Sequence, residues 1–304
     1  MTDMPAADAV AVLSETAPAK VNLTLRVLRK RPDGYHELES LVAFAALADQ
    51  LTLRLDAPLA LSVSGPTAAQ AGPIADNLVL KAVRLLAERI AGLRFGAFEL
   101  IKRLPAGAGL GGGSSDAAAA LRLVARANGL ALADPRLAAA ALASGADVPV
   151  CLDPQARMMR GVGEVLSAPV ALPTLSAVLV GPGFPLATKE VFAALGLAAG
   201  DRRGEPCADT AIPREPDALF AFLAVHPNDL EAPAIQLAPA IAGLLATLRA
   251  QPGCRLARMS GSGATCFGLF ASKEAAEAAA RSLKAAQPRW WVQATELSSG
   301  AAAA

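Results

Sequence analysis

The chain of 304 residues is short of several residue types, and each shortage narrows what it can be. It has two histidines, His36 and His226, and four cysteines, Cys151, Cys207, Cys254 and Cys266, all far apart and with no CxxC pair. A structural zinc site needs about four such ligands at close spacing, so none is expected. Scattered thiols suit a reducing compartment. No run of about 18 uninterrupted apolar residues occurs, so no transmembrane helix is expected. The N-terminus has no basic stretch before its short apolar run and does not read as a signal peptide. The formal net charge is only +1, so the basic surplus of a nucleic-acid binder is missing. Charged residues are scarce at 18%, but hydrophobic residues reach 54%, which excludes intrinsic disorder. At roughly 100–200 residues per domain, the length suits two domains. The expectation is a cytoplasmic protein with neither membrane nor nucleic acid as a partner, working as a monomer or homodimer.

Only seven of the 28 basic residues are lysine, so Lys20 and Lys102, both in motif-like segments, draw attention. So do the single tyrosine, Tyr35, and its neighbour His36.

Residues 1–15 read as a loose leader. Over 16–30, Val21, Leu23, Leu25 and Val27 alternate onto one face, a strand pattern. RPDGY (31–35) is a turn, and LTLRL (51–55) alternates again. Asn77 suits the cap of a helix whose stripe is Val79, Val83, Leu86 and Ile90, ending near Gly92. A strand follows at about 95–101. The segment LPAGAGLGGGSSDAAAALRLVARANG (104–129) opens as a glycine loop and continues as a helix from Ser114 or Ser115. Asp134-Pro135 opens another helix, which Ser144-Gly145 ends. ADVPVCL (146–152) reads as a short strand. A further strand is expected at 176–183 and a polar loop at 200–215. A second glycine loop leading into a strand is expected at 258–270, a surface helix at 273–285 and a disordered tail at 298–304.

Five glycines in seven positions, Gly107, Gly109, Gly111, Gly112 and Gly113, are costly unless the backbone must approach something closely. A helix N-terminus adds free N–H donors and about half a positive charge. Strand, glycine loop and helix together make a phosphate cradle, to which Ser114 and Ser115 can add hydroxyls. The loop lacks the Gly-Lys-Ser/Thr ending of a P-loop. Gly107-x-Gly109-x-x-Gly112 matches the dinucleotide fingerprint, but Asp134, at the spacing of its acidic residue, follows a helix with no strand between.

PAGAGLGGGSSDAA resembles the ATP-binding motif of the GHMP kinases, a family of small-molecule kinases. APAKVNL (17–23) and SGSGATCFGLF (260–270) are similar to the family's first and last motifs, in the same order, so the resemblance spans nearly the whole chain. It implies an α+β fold of two domains with the active site in the cleft between them. These are expected at 10–165, carrying the nucleotide loop, and 166–297. RPDGYHELES, DNLVLKA (76–82), GADVPV (145–150) and GVGEVL (161–166) resemble one branch of the family. That branch implies ATP phosphorylation of the 2-hydroxyl of a CDP-linked methylerythritol, a step of the non-mevalonate isoprenoid pathway. The alternatives are another GHMP kinase, of mevalonate or homoserine type, or a non-catalytic nucleotide-binding relative.

The resemblance also implies roles. Asp147 is the base, and Lys20, on the first strand, orients it. ATP with Mg2+ occupies the loop of Pro105, Ala106, Gly107, Gly109, Leu110, Gly111, Gly112, Gly113, Ser114 and Ser115. Asn77 and Lys102 reach the adenosine, with helix capping the competing role for Asn77. No magnesium ligand is legible; Asp116 is either one or a first-turn acid that favours the helix dipole. Asn22 touches the acceptor. Tyr35 and His36 hold its cytosine, with Phe192 on the other side or simply in the core and Thr188 as a further substrate contact; Gly261, Ser262 and Gly263 buttress the phosphate loop or approach substrate phosphate, a plain tight turn being the alternative.

Overall fold

The protein is described by a computed structural model, covering residues 12–55, 57–206 and 211–300. In chain order its strands are β1 (Val12–Asn22), β2 (Arg26–Lys30), β3 (His36–Leu55), β4 (Ala60–Ser64), β5 (Gly96–Ile101), β6 (Arg157–Gly161), β7 (Val165–Leu166), β8 (Leu175–Gly181), β9 (Cys254–Met259), β10 (Cys266–Phe270) and β11 (Trp291–Ser298). The helices are α1 (Leu78–Ala87), α2 (Gly112–Ala127), α3 (Pro135–Ser144), α4 (Val148–Leu152), α5 (Thr188–Ala193), α6 (Pro216–Val225), α7 (Glu231–Leu237), α8 (Ala240–Arg249) and α9 (Lys273–Ala286). None of them is long and apolar enough to cross a membrane.

One mixed sheet runs β4-β5-β3-β11-β8-β10-β9, antiparallel except for β4 beside β5. The 20-residue β3 organises the first half. Its early residues pair with β2 (Lys30↔His36) and β6 (Leu38↔Gly161), and its later ones with β1 (Val12↔Arg54) and β5. The strand expected over 16–30 is therefore two strands laid end to end along β3. The break at Leu23–Leu25 coincides with Thr24, whose hydroxyl accepts the Leu41 N–H at 2.9 Å. The turn between β2 and β3 forms as expected, with Gly34 at φ +87° and Asp33 accepting from the Tyr35 N–H.

Helices α1–α4 pack on the first half of the sheet over a core that includes Phe44, Phe98, Val79, Val83, Leu86 and Leu121. Each fully buried Val, Leu or Phe contributes about 1.5–3 kcal/mol. Asn77 caps α1 by accepting from the Val79 N–H at 2.9 Å, and Asp134 caps α3 in the same way. In β8, successive residues serve opposite cores: Val178 and Val180 face the core under α7–α9, and Ala177 and Leu179 face a core shared with α6 and β1. Leu25 and Val27 belong to the α7–α9 core. Packing thus crosses the expected boundary at 165/166, which falls within β7.

Four expectations need correction. Residues 146–152 are not a strand: Val148–Leu152 is a helical turn with Pro149 in its first turn, where a missing N–H costs nothing. Helix α2 begins at Gly112, two residues before the serines, because Gly111 at φ +62° turns the chain into it. Val12–Glu15 of the supposed leader lie in β1, while residues 1–11 are outside the described residues. Of the supposed tail, Ser298 ends β11 and Gly300 bridges to Gln155, while 301–304 lie outside the described residues.

Candidate active site

Two glycine loops meet at the end of β1. The first, Leu104–Gly111, leaves β5 and enters α2; the second joins β9 to β10. Gly109 stands at φ +78°, and a Cβ there would fall 2.3 Å from the Ser260 carbonyl oxygen, so only glycine lets the loops touch. Ser260 is the joint. Its hydroxyl donates to the Gly109 carbonyl at 2.9 Å and accepts from the Asn22 N–H at 3.1 Å. Thr265 N–H donates to Ala108 O at 3.1 Å, and Lys20 N–H to Leu110 O at 2.8 Å. No side chain caps α2, so its first N–H groups face the loop's open side, the arrangement that binds anions. Pro105, Ala106, Gly107, Gly112, Gly113 and Ser114 complete the loop and the first turn. Ser115 is engaged elsewhere, donating to Pro18 O at 2.7 Å beneath the helix.

Lys20, buried on β1, reaches Asp147 with Nζ–Oδ1 at 2.7 Å. The Asp147 side chain is 35% exposed and makes no cap bond to α4, although it sits at that helix's N-cap position. The carboxylate thus leaves its own helix end uncapped and is engaged instead by a buried ammonium.

The acceptor-side candidates come together around the start of β3. His36 stacks on Phe192 at a centroid distance of 4.7 Å and 26°. Phe192, on α5, also packs against the second core. Burial first, then Lys30 across the hairpin, lower the His36 pKa from its ordinary value, favouring a neutral ring whose Nε2 is buried without a partner. Tyr35 beside it is 62% exposed. Thr188 and Ser262 share a hydroxyl hydrogen bond of 2.8 Å, tying α5 to the second glycine loop. Asn22 is buried; its Nδ2 donates to Ser40 at 2.8 Å, and its Oδ1 has no partner, 3.3 Å from where a Gly261 Cβ would lie.

Asn77 caps α1, whose Leu78 side chain flanks Gly113. Lys102 departs from expectation. Its ammonium lies beneath the loop rather than at an open edge, buried between Asp49 and Asp116, with Nζ–Asp116 Oδ2 at 2.7 Å. Asp49 also accepts from the Arg103 and Leu104 N–H groups, so the triad ties the loop's entrance to α2. Burial, with Asp49 adding to it against the pull of Lys102, pushes the Asp116 pKa up to about 7. Among the described residues no three His, Cys, Asp or Glu side chains gather as a metal cage.

Sequence reasoning missed Ser260, Asn228 and Asp49, and did not pair Asp116 with Lys102. One signal was present for Asn228: the chain has only four asparagines, and two of the others, Asn22 and Asn77, had already attracted attention.

Family profiles described as GHMP kinases N terminal domain and GHMP kinases C terminal match residues 77–153 and 214–289. A protein of Methylobacterium radiotolerans named 4-diphosphocytidyl-2-C-methyl-D-erythritol kinase is 61% identical over 288 residues, covering 94% of this chain and 99% of its own. One of the same name from Xanthobacter autotrophicus is 60% identical, covering 92% and 97%. A crystal structure of 4-(cytidine 5'-diphospho)-2C-methyl-D-erythritol kinase superposes with a TM-score of 0.71 at 35% identity, covering 95% of this chain and all of that one. A homoserine kinase from Cytophaga hutchinsonii shares the fold, with a TM-score of 0.68 at 17% identity over 98% of each chain.

Proposed function

The chain belongs to the GHMP kinases, in the group named for 4-diphosphocytidyl-2-C-methyl-D-erythritol, and on that premise we propose that it transfers the γ-phosphoryl group of ATP to the 2-hydroxyl of that compound. The observation that carries the reading is the Lys20–Asp147 pair, 2.7 Å apart beside the glycine loop. Phosphoryl transfer needs positioning and charge neutralisation more than covalent help. The free N–H groups at the start of α2 and the loop glycines receive the ATP phosphates. A magnesium ion accompanying ATP would be held mainly by those phosphates and would neutralise their charge.

The ion pair turns Oδ1 of Asp147 toward Lys20 and leaves Oδ2 outside that pair. Asp147 accepts the proton of the acceptor hydroxyl as its oxygen bonds to the γ-phosphorus. The bond from that phosphorus to the β,γ-bridging oxygen breaks, and ADP leaves. Lys20 fixes the carboxylate and adds positive charge beside the transferring group. Asn22 supports the acceptor from the same face of β1, two residues on. His36, Phe192 and Tyr35 offer π faces and a directional nitrogen for the cytosine, Thr188 adds a hydroxyl on the acceptor side, and Gly261 and Ser262 buttress the phosphate loop or approach substrate phosphate. Residues 10–165 carry the nucleotide loop with Lys20 and Asp147, residues 166–297 help to form the acceptor site, and the enzyme works in the cytoplasm as a monomer or homodimer.

The test is ADP release with Mg-ATP and, in parallel, the CDP-linked acceptor, mevalonate and homoserine. Release with the CDP compound alone is expected. Release with another acceptor would overturn the roles of His36 and Tyr35.

A further inference from the structure

The link from α6 to α7, Pro227–Asp229, is bound on two sides. On one side it runs along the break between β1 and β2. Leu25 N–H donates to Pro227 O at 3.2 Å, Asp229 N–H to Leu25 O at 2.8 Å, and Val27 N–H to the Asp229 carboxylate at 2.8 Å. On the other side stands the second glycine loop. Asn228, only 4% exposed, donates from Nδ2 to Met259 O at 2.9 Å and to Gly261 O at 2.8 Å. Its Oδ1 accepts from the Leu230 N–H at 2.9 Å, at the start of α7. Both N–H bonds of one amide are thus used on the carbonyls that flank a single residue, Ser260. That residue's hydroxyl joins the Gly109 carbonyl of the phosphate loop to the Asn22 N–H of the acceptor strand.

We propose that Asn228 is a positioning residue for phosphoryl transfer. By gripping Met259 and Gly261 it fixes Ser260 between the nucleotide loop and the acceptor strand, and so sets the alignment of the two reactants. The inference rests on the kinase reading above. Helix capping alone would need only the Oδ1 acceptor; the two donors have no task in α7. Buried Arg258 reinforces the same junction, donating to the carbonyls of Leu23 (2.6 Å), His226 (3.0 Å) and Leu223 (2.8 Å).

The deciding variant is Asn228→Asp. It keeps the size and the Oδ1 acceptor but turns an oxygen toward two carbonyl oxygens. Because misalignment near 1 Å can cost about 10²-fold, kcat is expected to fall by about 10–100-fold. KM for ATP and for the acceptor should stay within about threefold, the pattern of a lost transition-state interaction. Wild-type kcat with a lowered Tm would make the residue merely structural and overturn the proposal, as would a rise in the ATP KM alone. If that variant does not fold, Asn228→Ala decides. It removes both donors to the Met259 and Gly261 carbonyls without facing them with an oxygen, and the same kcat-selective loss is expected. Wild-type kinetics in a folded Asn228→Ala would then overturn the proposal. Failure of the wild-type enzyme to turn over the acceptor would count against the kinase reading instead.

Discussion

Replacing Gly109 with alanine separates loop contact from loop flexibility. The new Cβ would stand 2.3 Å from Ser260 O and 2.9 Å from Gly263 O, both backbone atoms that cannot swing aside. Comfortable contact is near 3.5 Å, so the two loops must part by roughly 1 Å. The φ of +78° adds about 1–2 kcal/mol for any residue with a Cβ, and overpacking adds about 1–3 kcal/mol. Stability should therefore fall by about 2–5 kcal/mol, read from urea unfolding. Because Ser260 aligns both reactants, kcat for ADP release at saturating ATP and acceptor should fall by about 10²-fold. Gly107→Ala is the control. Gly107 also has positive φ, at +61°, but nothing lies within 4 Å of its Cβ position, so only the backbone cost of about 1–2 kcal/mol applies. Equal effects of the two substitutions, or wild-type kcat in Gly109→Ala, would refute the contact between the loops.

Lys102→Met should destabilise the fold by about 3–5 kcal/mol in urea unfolding, because it leaves Asp49 and Asp116 buried without their cation; a loss below 1 kcal/mol would contradict the triad. Asp116 titrates near 7 in the folded protein against an ordinary 3.8, so the native state binds the extra proton and stability from this group declines as pH rises from about 4 to 7. Asp116→Asn removes that slope: the difference in urea midpoint between variant and wild type should grow in the variant's favour from pH 5 to 7.5, and a constant difference would exclude the titration. Phe192→Ala should raise the acceptor KM several-fold, the equivalent of about 0.5–1.5 kcal/mol of ring stacking, and leave the ATP KM unchanged. A rise in the ATP KM would place Phe192 elsewhere.

What the sequence made legible was local. The glycine loop could be read because close backbone approach leaves a residue-type signature, and Asn77 and Asp134 because caps act within three residues. Val148-Pro149-Val150 misled because β-branched residues in a five-residue element look the same in a buried strand and a helical turn. Lys102 was noticed for its rarity, but its role depends on Asp49, 53 residues earlier, and on Asp116 across the loop. Ser260 and Asn228 were invisible as a pair, since the contacts that define them span 31 to 238 residues. The resemblance supplied Lys20 and Asp147; only the fold put them 2.7 Å apart.

The account turns on Asp147 as the base. The most direct measurement is turnover of Asp147→Asn with Mg-ATP and the CDP-linked acceptor, alongside ATP binding by calorimetry. The asparagine keeps the shape but cannot take the proton, so turnover should fall by about 10²–10⁴-fold while ATP affinity stays nearly unchanged. Turnover close to wild type in a variant that still binds ATP would contradict it.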